Sequence, residues 1–194
     1  MLGPGKALLD ANVLYSNHLR NLLLQMAQND LFEARWSAQI EQEWLRNTEQ
    51  PTRGHIEVRT LPLIRRGFPG ALVTGFDFDR VTGTTDVKDR HVASAAAAIA
   101  PCVLVTHNRK DFDAGALNSL GVALQIPDEF LTALFDSKPD VVEAVTREAA
   151  ANLTRTRPSW DEYLNLLARR CNLPNFIARL RSLGPSVSSA APEL

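Results

Sequence analysis

Short apolar runs alternate along this chain with stretches in which apolar residues recur every three or four positions. Such runs have the length and continuity of buried strands in a parallel sheet, and they lie at 7–9, 102–106 and 122–126. The helical spacing predicts three helices, over 17–27, 36–46 and 86–99. Strands separated by helices predict an α/β fold, a three-layer α/β/α sandwich around a mostly parallel sheet.

The middle of the chain has a mixed pattern, and its end is helical. Residues 51–85 contain several prolines and glycines, and they predict a helix near 55–65 and a strand at either 71–73 or 76–78. Two Ser-x-x-Asp/Glu sequences, beginning at Ser137 and Ser159, are spaced like capping boxes. They predict helices over 139–154 and 159–170, and a shorter helix follows over 174–183. We therefore expect a main domain over 1–136, a helical extension packed on it over 137–183, and a flexible tail over 184–194.

Composition places the chain among ordinary globular proteins. Its 194 residues, 45% apolar and 22% charged, suffice for one hydrophobic core. No run approaches the roughly 18 apolar residues of a membrane span, and the first residues lack the apolar core of a secretory signal, so a cytoplasmic protein is expected. The two cysteines, Cys102 and Cys171, have no CxxC or histidine spacing around them, which argues against zinc and disulfides.

The charge is nearly balanced overall but unevenly distributed. The formal net charge of −1 argues against a basic protein that coats nucleic acid. Residues 141–194 carry seven Lys and Arg against five Asp and Glu, whereas residues 1–140 carry fourteen against seventeen. Several carboxylates of the acidic part lie just after predicted strands or on predicted helices, at positions where a functional site can form.

Four acids are candidates for one shared site. Asp10 directly follows the first predicted strand, and Asp111 lies five positions after Thr106, the end of the strand 102–106. Ligands of open parallel sheets bind at the carboxyl ends of the strands, where such residues converge. Asp89 lies near the start of the alanine-rich helix that leads into that strand, and Glu43 flanks the apolar face of its own helix. Each acid alone is weak evidence, because acids near helix N-termini usually serve the helix dipole.

The sequences around these acids carry a family resemblance. In chain order, they resemble the acidic motifs of PIN-domain nucleases, a family that includes the VapC-type toxins; the segments are Leu8-Leu9-Asp10-Ala11-Asn12-Val13-Leu14, Ile40-Glu41-Gln42-Glu43-Trp44, Asp86-Val87-Lys88-Asp89-Arg90-His91-Val92 and Thr106-His107-Asn108-Arg109-Lys110-Asp111-Phe112. The resemblance covers about residues 6–136. The helical tail also resembles the extension found in one bacterial branch of the family.

The resemblance implies an endoribonuclease that depends on Mg²⁺ or Mn²⁺ and leaves a 5′-phosphate and a 3′-hydroxyl. It makes Asp10 and Asp89 direct metal ligands, while Glu43 binds metal or orients the attacking water. Asp111 completes the site, with Asp113 as an alternative fourth acid. Crowded carboxylates require a compensating cation, and oxygen ligands suit both metals.

Other residues have supporting roles in this interpretation. Asn12, Thr106 and Asn108 support the site, although Asn108 stands where a common family pattern has an acid. Three basic residues are candidates for contact with the RNA backbone: Arg90, Arg109 and Lys110. Asp86 is expected to be a helix cap. The resemblance also implies a small antitoxin partner and a homodimer, with tRNA as a candidate target.

Several alternatives remain open at this stage. His91 near the acids suggests a general acid, although packing or hydrogen bonding at the helix start is favoured. Trp36, Trp44 and Trp160 are candidates for base stacking, with core packing favoured for Trp44. A set of arginines in the tail either grips structured RNA or forms a solvated face: Arg155, Arg157, Arg169, Arg170, Arg179 and Arg181. Two other functions also remain, a nuclease that is not a toxin and a non-catalytic RNA-binding module.

Overall fold

The computed structural model describes residues 5–78, 80–81, 83–154 and 156–183. The described strands all run parallel in one sheet: β1 Lys6–Leu9, β2 Glu33–Ser37, β3 Leu72–Val73, β4 Cys102–Val105 and β5 Val122–Gln125. Their spatial order is β3-β2-β1-β4-β5. Helices flank this sheet, so the predicted α/β fold with a parallel sheet is confirmed.

The α-helices are α1 Ala11–Tyr15, α2 Asn17–Gln28, α3 Ala38–Asn47, α4 Thr52–His55, α5 Leu61–Gly67, α6 Arg90–Ala98, α7 Ala114–Ser119, α8 Pro127–Ser137, α9 Pro139–Ala151, α10 Trp160–Cys171 and α11 Pro174–Ser182. A π-helical segment, Ile56–Thr60, joins α4 to α5. Two 3₁₀ turns, Val87–Asp89 and Arg109–Asp111, precede α6 and α7.

The centre of the sheet is formed by the apolar runs. Leu8 of β1 pairs with Leu104 of β4, and both side chains are fully buried. Alanines of α6, such as Ala93 and Ala96, are also fully buried. Their small size lets this helix approach its neighbours closely, which explains why an alanine-rich segment lies in the interior.

Several elements were not predicted from the sequence, including β2, α1, α7 and α8. Strand β2 occupies Glu33–Ser37, so the helix predicted from 36 begins instead at Ala38. The hydroxyl of Ser37 caps that helix by accepting from the backbone N–H of Ile40 at 3.3 Å. Helix α8 also lay in a segment without a predicted element. Of the two strand positions proposed for the mixed segment, the structure has the first, at β3.

The C-terminal helices pack against α2 and against each other. The side-chain amide of Asn21 donates to the backbone oxygen of Ala149 at 3.2 Å, and the Ser16 Oγ lies 3.6 Å from the Cys171 Sγ. The capping box at Ser159 and Glu162 is confirmed. The one predicted at Ser137 is wrong, because Ser137 ends α8 and its hydroxyl donates to the backbone oxygen of Leu134.

Two expectations concern residues outside the described ranges, namely the flexible tail over 184–194 and the role of Arg155. None of the helices in the described ranges has the length and apolar character that a bilayer-spanning segment needs.

Candidate active site

The order of the strands determines where a ligand can bind. The chain order reverses between β1 and β4, which lie side by side at the centre of the sheet. In open α/β sheets the crevice for a ligand forms at such a reversal, beyond the carboxyl ends of the strands. A cleft of about 350 Å³ opens there, which we call the acid cleft. Its lining includes Asp10, Asn12, Glu43, Lys88, Asp89 and Asn108.

Asp10 is fixed in the acid cleft by three hydrogen bonds. One carboxylate oxygen accepts from the backbone N–H of Ala11 at 2.6 Å. The other accepts from the Thr106 hydroxyl at 2.7 Å and from the Asn12 side-chain amide at 2.7 Å. Burial raises the pKa of Asp10, the Thr106 hydrogen bond partly offsets this rise, and the charge of Glu43 adds to it.

Asp89 is the least compensated acid of the acid cleft. Its side chain is buried, and among the described residues its Oδ2 atom has no hydrogen-bond partner. Burial and, next, the negative charge of Asp10 raise the pKa of Asp89 to about 6. The ammonium group of Lys88 acts in the opposite direction. A buried carboxylate next to another is stabilised by a cation, so this position is electrostatically suited to a metal ion.

Helix α3 carries two acids, and only one of them reaches the acid cleft. Glu43 lines it, and the Nε2 atom of His91 lies 3.5 Å from a Glu43 carboxylate oxygen. This contact lowers the pKa of Glu43. Glu41 is buried elsewhere, where it accepts a hydrogen bond from the Trp36 indole at 2.8 Å and forms an ion pair with Arg65. The structure thus separates a cleft acid from a structural one.

Replacing each of these glutamates with glutamine is expected to give opposite results. Glu41→Gln leaves the Arg65 guanidinium without its ion pair and weakens a buried hydrogen bond, which should lower the free energy of unfolding by about 1–3 kcal/mol. Glu43→Gln should change that free energy by less than about 1 kcal/mol and lower any metal-dependent RNA cleavage at least about tenfold. Urea unfolding and a cleavage assay on both variants measure the two effects. A cleavage loss confined to Glu41→Gln would contradict this assignment.

The remaining predicted acids lie at the margin of the site or outside it. Asp111 does not line the acid cleft within the described ranges, although its charge contributes to the raised pKa of Asp89. Asp113 caps α7 and accepts from the backbone N–H of Ala116 at 2.9 Å, which lowers its pKa. Asp86 accepts from the backbone N–H of Lys88 and caps the 3₁₀ turn there, as expected. Asp111 is therefore better placed than Asp113 to be the fourth acid.

The predicted supporting residues connect the ends of β1 and β4. The Thr106 hydroxyl, besides binding Asp10, accepts from the Asn12 side-chain amide and from the backbone N–H of Asn108, both at 3.0 Å. Asn12 accepts in turn from the backbone N–H of His107 at 3.1 Å. This network joins two segments of the chain across the central strands and fixes the orientation of the Asp10 carboxylate.

The basic candidates for RNA contact lie around the acid cleft rather than in it. Arg90 begins α6 and is partly buried. Arg109 is exposed and forms an ion pair with Glu129 of α8 at 2.7 Å, while Lys110 is exposed beside it. Sequence reasoning assigned no role to Lys88, although it stands next to Asp89 in the third acidic motif and lines the acid cleft.

The three tryptophans are buried or partly buried by contacts within the protein. Trp36 and Trp44 are each 2% exposed, so neither is available to stack on a base. Trp160 is partly buried beneath the guanidinium of Arg147, which lies 4.2 Å from its ring centroid. Core packing, the interpretation favoured for Trp44, therefore applies to Trp36 as well.

A comparison with known protein families gives one match, in the C-terminal part of the chain. Residues 127–182 match the family model described as the VapC50 C-terminal domain. This segment is VapC-like. No curated protein and no solved structure matches the chain. The match begins at α8 and ends at α11, so it does not include the acid cleft.

The donors of the acid cleft fit a hard divalent cation that keeps part of its water shell. Among the described residues, no group of three or more His, Cys, Asp or Glu side chains is close enough to hold an ion by itself. Mg²⁺ is commonly bound by only one or two carboxylates, with water and substrate phosphate completing its octahedron. Asp10 and Asp89 supply such a pair of carboxylates.

Proposed function

We propose that this protein is a metal-dependent endoribonuclease of the PIN type and the toxin of a toxin–antitoxin pair. The observation that carries the proposal is the buried carboxylate of Asp89 beside Asp10, at the crevice where the chain order of the sheet reverses. Its Oδ2 atom has no hydrogen-bond partner in the part of the chain that the structure describes. A non-catalytic RNA-binding protein would gain nothing from negative charge where a polyanion must dock. A nuclease needs that charge to hold its cation.

Each residue of the acid cleft has a separate role in the proposed reaction. Asp10 and Asp89 would hold Mg²⁺ or Mn²⁺, which when bound activates water and neutralises charge on the phosphate. The Thr106 and Asn12 hydrogen bonds keep Asp10 in one orientation. Glu43, held beside His91, accepts a hydrogen bond from the attacking water and orients it. Lys88 places a positive charge at the rim, where the phosphodiester enters.

The VapC-like C-terminal segment supports the toxin assignment. A toxin of this kind has an antitoxin partner that blocks its site, and its substrate is RNA, with tRNA as the first candidate. Cleavage is expected to leave a 5′-phosphate and a 3′-hydroxyl. Asp111 contributes the fourth negative charge, and a homodimer is the expected assembly.

The experiment that tests the proposal is cleavage of end-labelled total tRNA and of a single-stranded RNA by the full chain with Mg²⁺, Mn²⁺ or EDTA. We expect cutting with either metal and none with EDTA. An Asp10→Asn protein, purified identically, controls for contaminating ribonuclease and should be inactive. Failure to cut any RNA, with RNA binding intact in EDTA, would instead establish the non-catalytic binding module.

A further inference from the structure

A second and larger cleft lies next to the acid cleft. It has a volume of about 790 Å³ and is formed where the junction of α1 and α2 faces α4 and the π-helical segment. We call it the adjacent cleft; its lining includes Tyr15, Asn17, Arg20, Thr48, Glu49 and His55. Tyr15, whose side chain is 52% exposed, lines both clefts, so the two are contiguous.

A buried positive charge distinguishes the adjacent cleft. Arg20 is only 4% exposed, and its guanidinium donates to the backbone oxygen of Leu14 and to the side-chain oxygen of Asn17. The guanidinium carbon also lies 4.6 Å from the centroid of the Trp44 ring. Within the described ranges, no carboxylate forms an ion pair with Arg20. Burial lowers the pKa of Arg20 only to about 10, so it remains protonated at neutral pH.

The contacts of Arg20 satisfy part of the guanidinium, but burying its charge without a carboxylate partner is still costly for the fold unless an anion offsets it. The other charged side chains of the adjacent cleft do not do so, since Glu49 is exposed at the edge and His55 is exposed as well. An anion that enters the cleft would compensate Arg20, and a guanidinium has the donor geometry that phosphate oxygens accept. The volume is within the range of about 300–1,000 Å³ typical of sites for small ligands, enough for a nucleotide.

We propose that the adjacent cleft binds the part of a single-stranded RNA next to the scissile phosphate, with Arg20 contacting a backbone phosphate and Tyr15 stacking on a base between the two clefts. This inference rests on the proposed function, because the acid cleft identifies which end of the adjacent cleft faces the reacting bond. It gives the enzyme a preference for unpaired RNA, since a stacked duplex base is not available to the Tyr15 ring.

The test uses the full chain carrying Asp10→Asn, in EDTA, so that the RNA is bound and not cut. The probe is a fluorescein-labelled 12-nucleotide single-stranded RNA, and the dissociation constant is measured by anisotropy at several salt concentrations. Adding Arg20→Gln is expected to weaken binding about tenfold or more. It should also lower the slope of log K against log salt by about 0.7, the value for one phosphate contact with a single strand. A purely structural role would not change that slope.

Matched variants separate this effect from a general loss of charge or of fold. Arg66→Gln removes an equal charge from an exposed position outside both clefts and should change the dissociation constant less than about twofold. Arg20→Lys should keep the salt slope, because it keeps the charge. Tyr15→Ala should weaken binding about tenfold without changing the slope, because stacking involves no counterion.

Photocrosslinking covers the case in which Arg20→Gln does not fold. The same RNA, made with 4-thiouridine, is crosslinked to the Asp10→Asn protein, and the peptides are mapped by mass spectrometry. Crosslinks within 15–20 and 48–60 support the proposal, whereas crosslinks confined to the arginine-bearing helices α10 and α11 overturn it. A different outcome is that the wild-type chain cuts RNA while no crosslink falls within 15–20 or 48–60 and Arg20→Gln binds RNA as before. That result would refute RNA binding in the adjacent cleft and leave the proposed nuclease function standing. Crosslinks here without metal-dependent cleavage would refute the nuclease alone, and an RNA neither bound nor cut would refute both.

Discussion

Replacing Asp89 with asparagine is expected to abolish metal-dependent RNA cleavage and, without metal, to stabilise the fold. Under the proposed function Asp89 is a metal ligand, and its removal costs several kcal/mol of transition-state stabilisation, or about a thousandfold in rate. The folded chain, however, no longer has to bury a carboxylate beside Asp10. A single amide substitution should therefore separate activity from stability.

The raised pKa of Asp89 determines whether Asp89→Asn increases or decreases the free energy of unfolding at a given pH. The pKa of Asp89 is about 6 in the folded chain, above its value in the unfolded chain, so the folded state holds the proton more tightly. The contribution of the Asp89 carboxyl to the free energy of unfolding is fully present below about pH 4 and is lost as the pH rises through about 6. At pH 8 we expect Asp89→Asn to be more stable than the wild type by about 1–2 kcal/mol, after allowance for solvent screening.

Urea unfolding of wild type and Asp89→Asn at pH 5 and pH 8, in EDTA, measures this difference. Asp113→Asn is the matched control, because that acid caps α7 outside the acid cleft and its pKa is lowered instead. It should keep the cleavage rate within about twofold. A wild-type protein that gained stability relative to Asp89→Asn between pH 5 and pH 8 would show that Asp89 is compensated by a partner inside the protein.

The largest loss of stability is expected from Asp128→Ala. Asp128 of α8 is buried and accepts from the backbone N–H groups of Asn175 and Phe176, at 3.2 and 2.9 Å, which start α11. It also accepts from the Asn175 side-chain amide at 2.8 Å. Truncation leaves these donors unsatisfied, at a cost of about 3–5 kcal/mol.

A second acid on the same helix provides the comparison. Asp136 of α8 forms an ion pair with Arg179 of α11 at 2.8 Å, but both side chains are about half exposed. Asp136→Ala should therefore cost less than about 1 kcal/mol. Thermal and urea unfolding of the two variants measure the contrast. Equal losses would mean that α8 and α11 are held together by charge rather than by the buried cap.

The elements predicted correctly are those whose signal is local. The apolar runs of β1, β4 and β5 and the spacing of α2 follow from burial on one face, which the sequence reports directly. Strand β2 was missed because its last residues, Trp36 and Ser37, continue without a break into the pattern of α3. In fact Ala34 and Trp36 are buried and Glu33 and Arg35 are less so, an alternation typical of a strand. Helix α8 carried a proline at its first position and acids in its first turn, a start signal that was overlooked.

The site could be anticipated only in part, because membership in it depends on contacts between distant segments. Three of the acids taken from the motifs, Asp10, Glu43 and Asp89, line one cleft, and their roles in it stay a prediction. Spacing could not show that Glu41, two positions from Glu43, is held by Arg65 instead. Nor could it show the adjacent cleft, since Arg20 and His55 come together only after the helices have packed.

The bond between Thr106 and Asp10 also has a consequence for synthesis of the protein. It joins residues 96 positions apart, and β1 acquires its neighbour β4 only when that part of the chain exists. A growing chain that has not yet emerged from the ribosome beyond Thr106 has Asp10 but no partner to orient it. The orientation of Asp10 that the proposed function requires is therefore reached only after more than half of the chain has been synthesised.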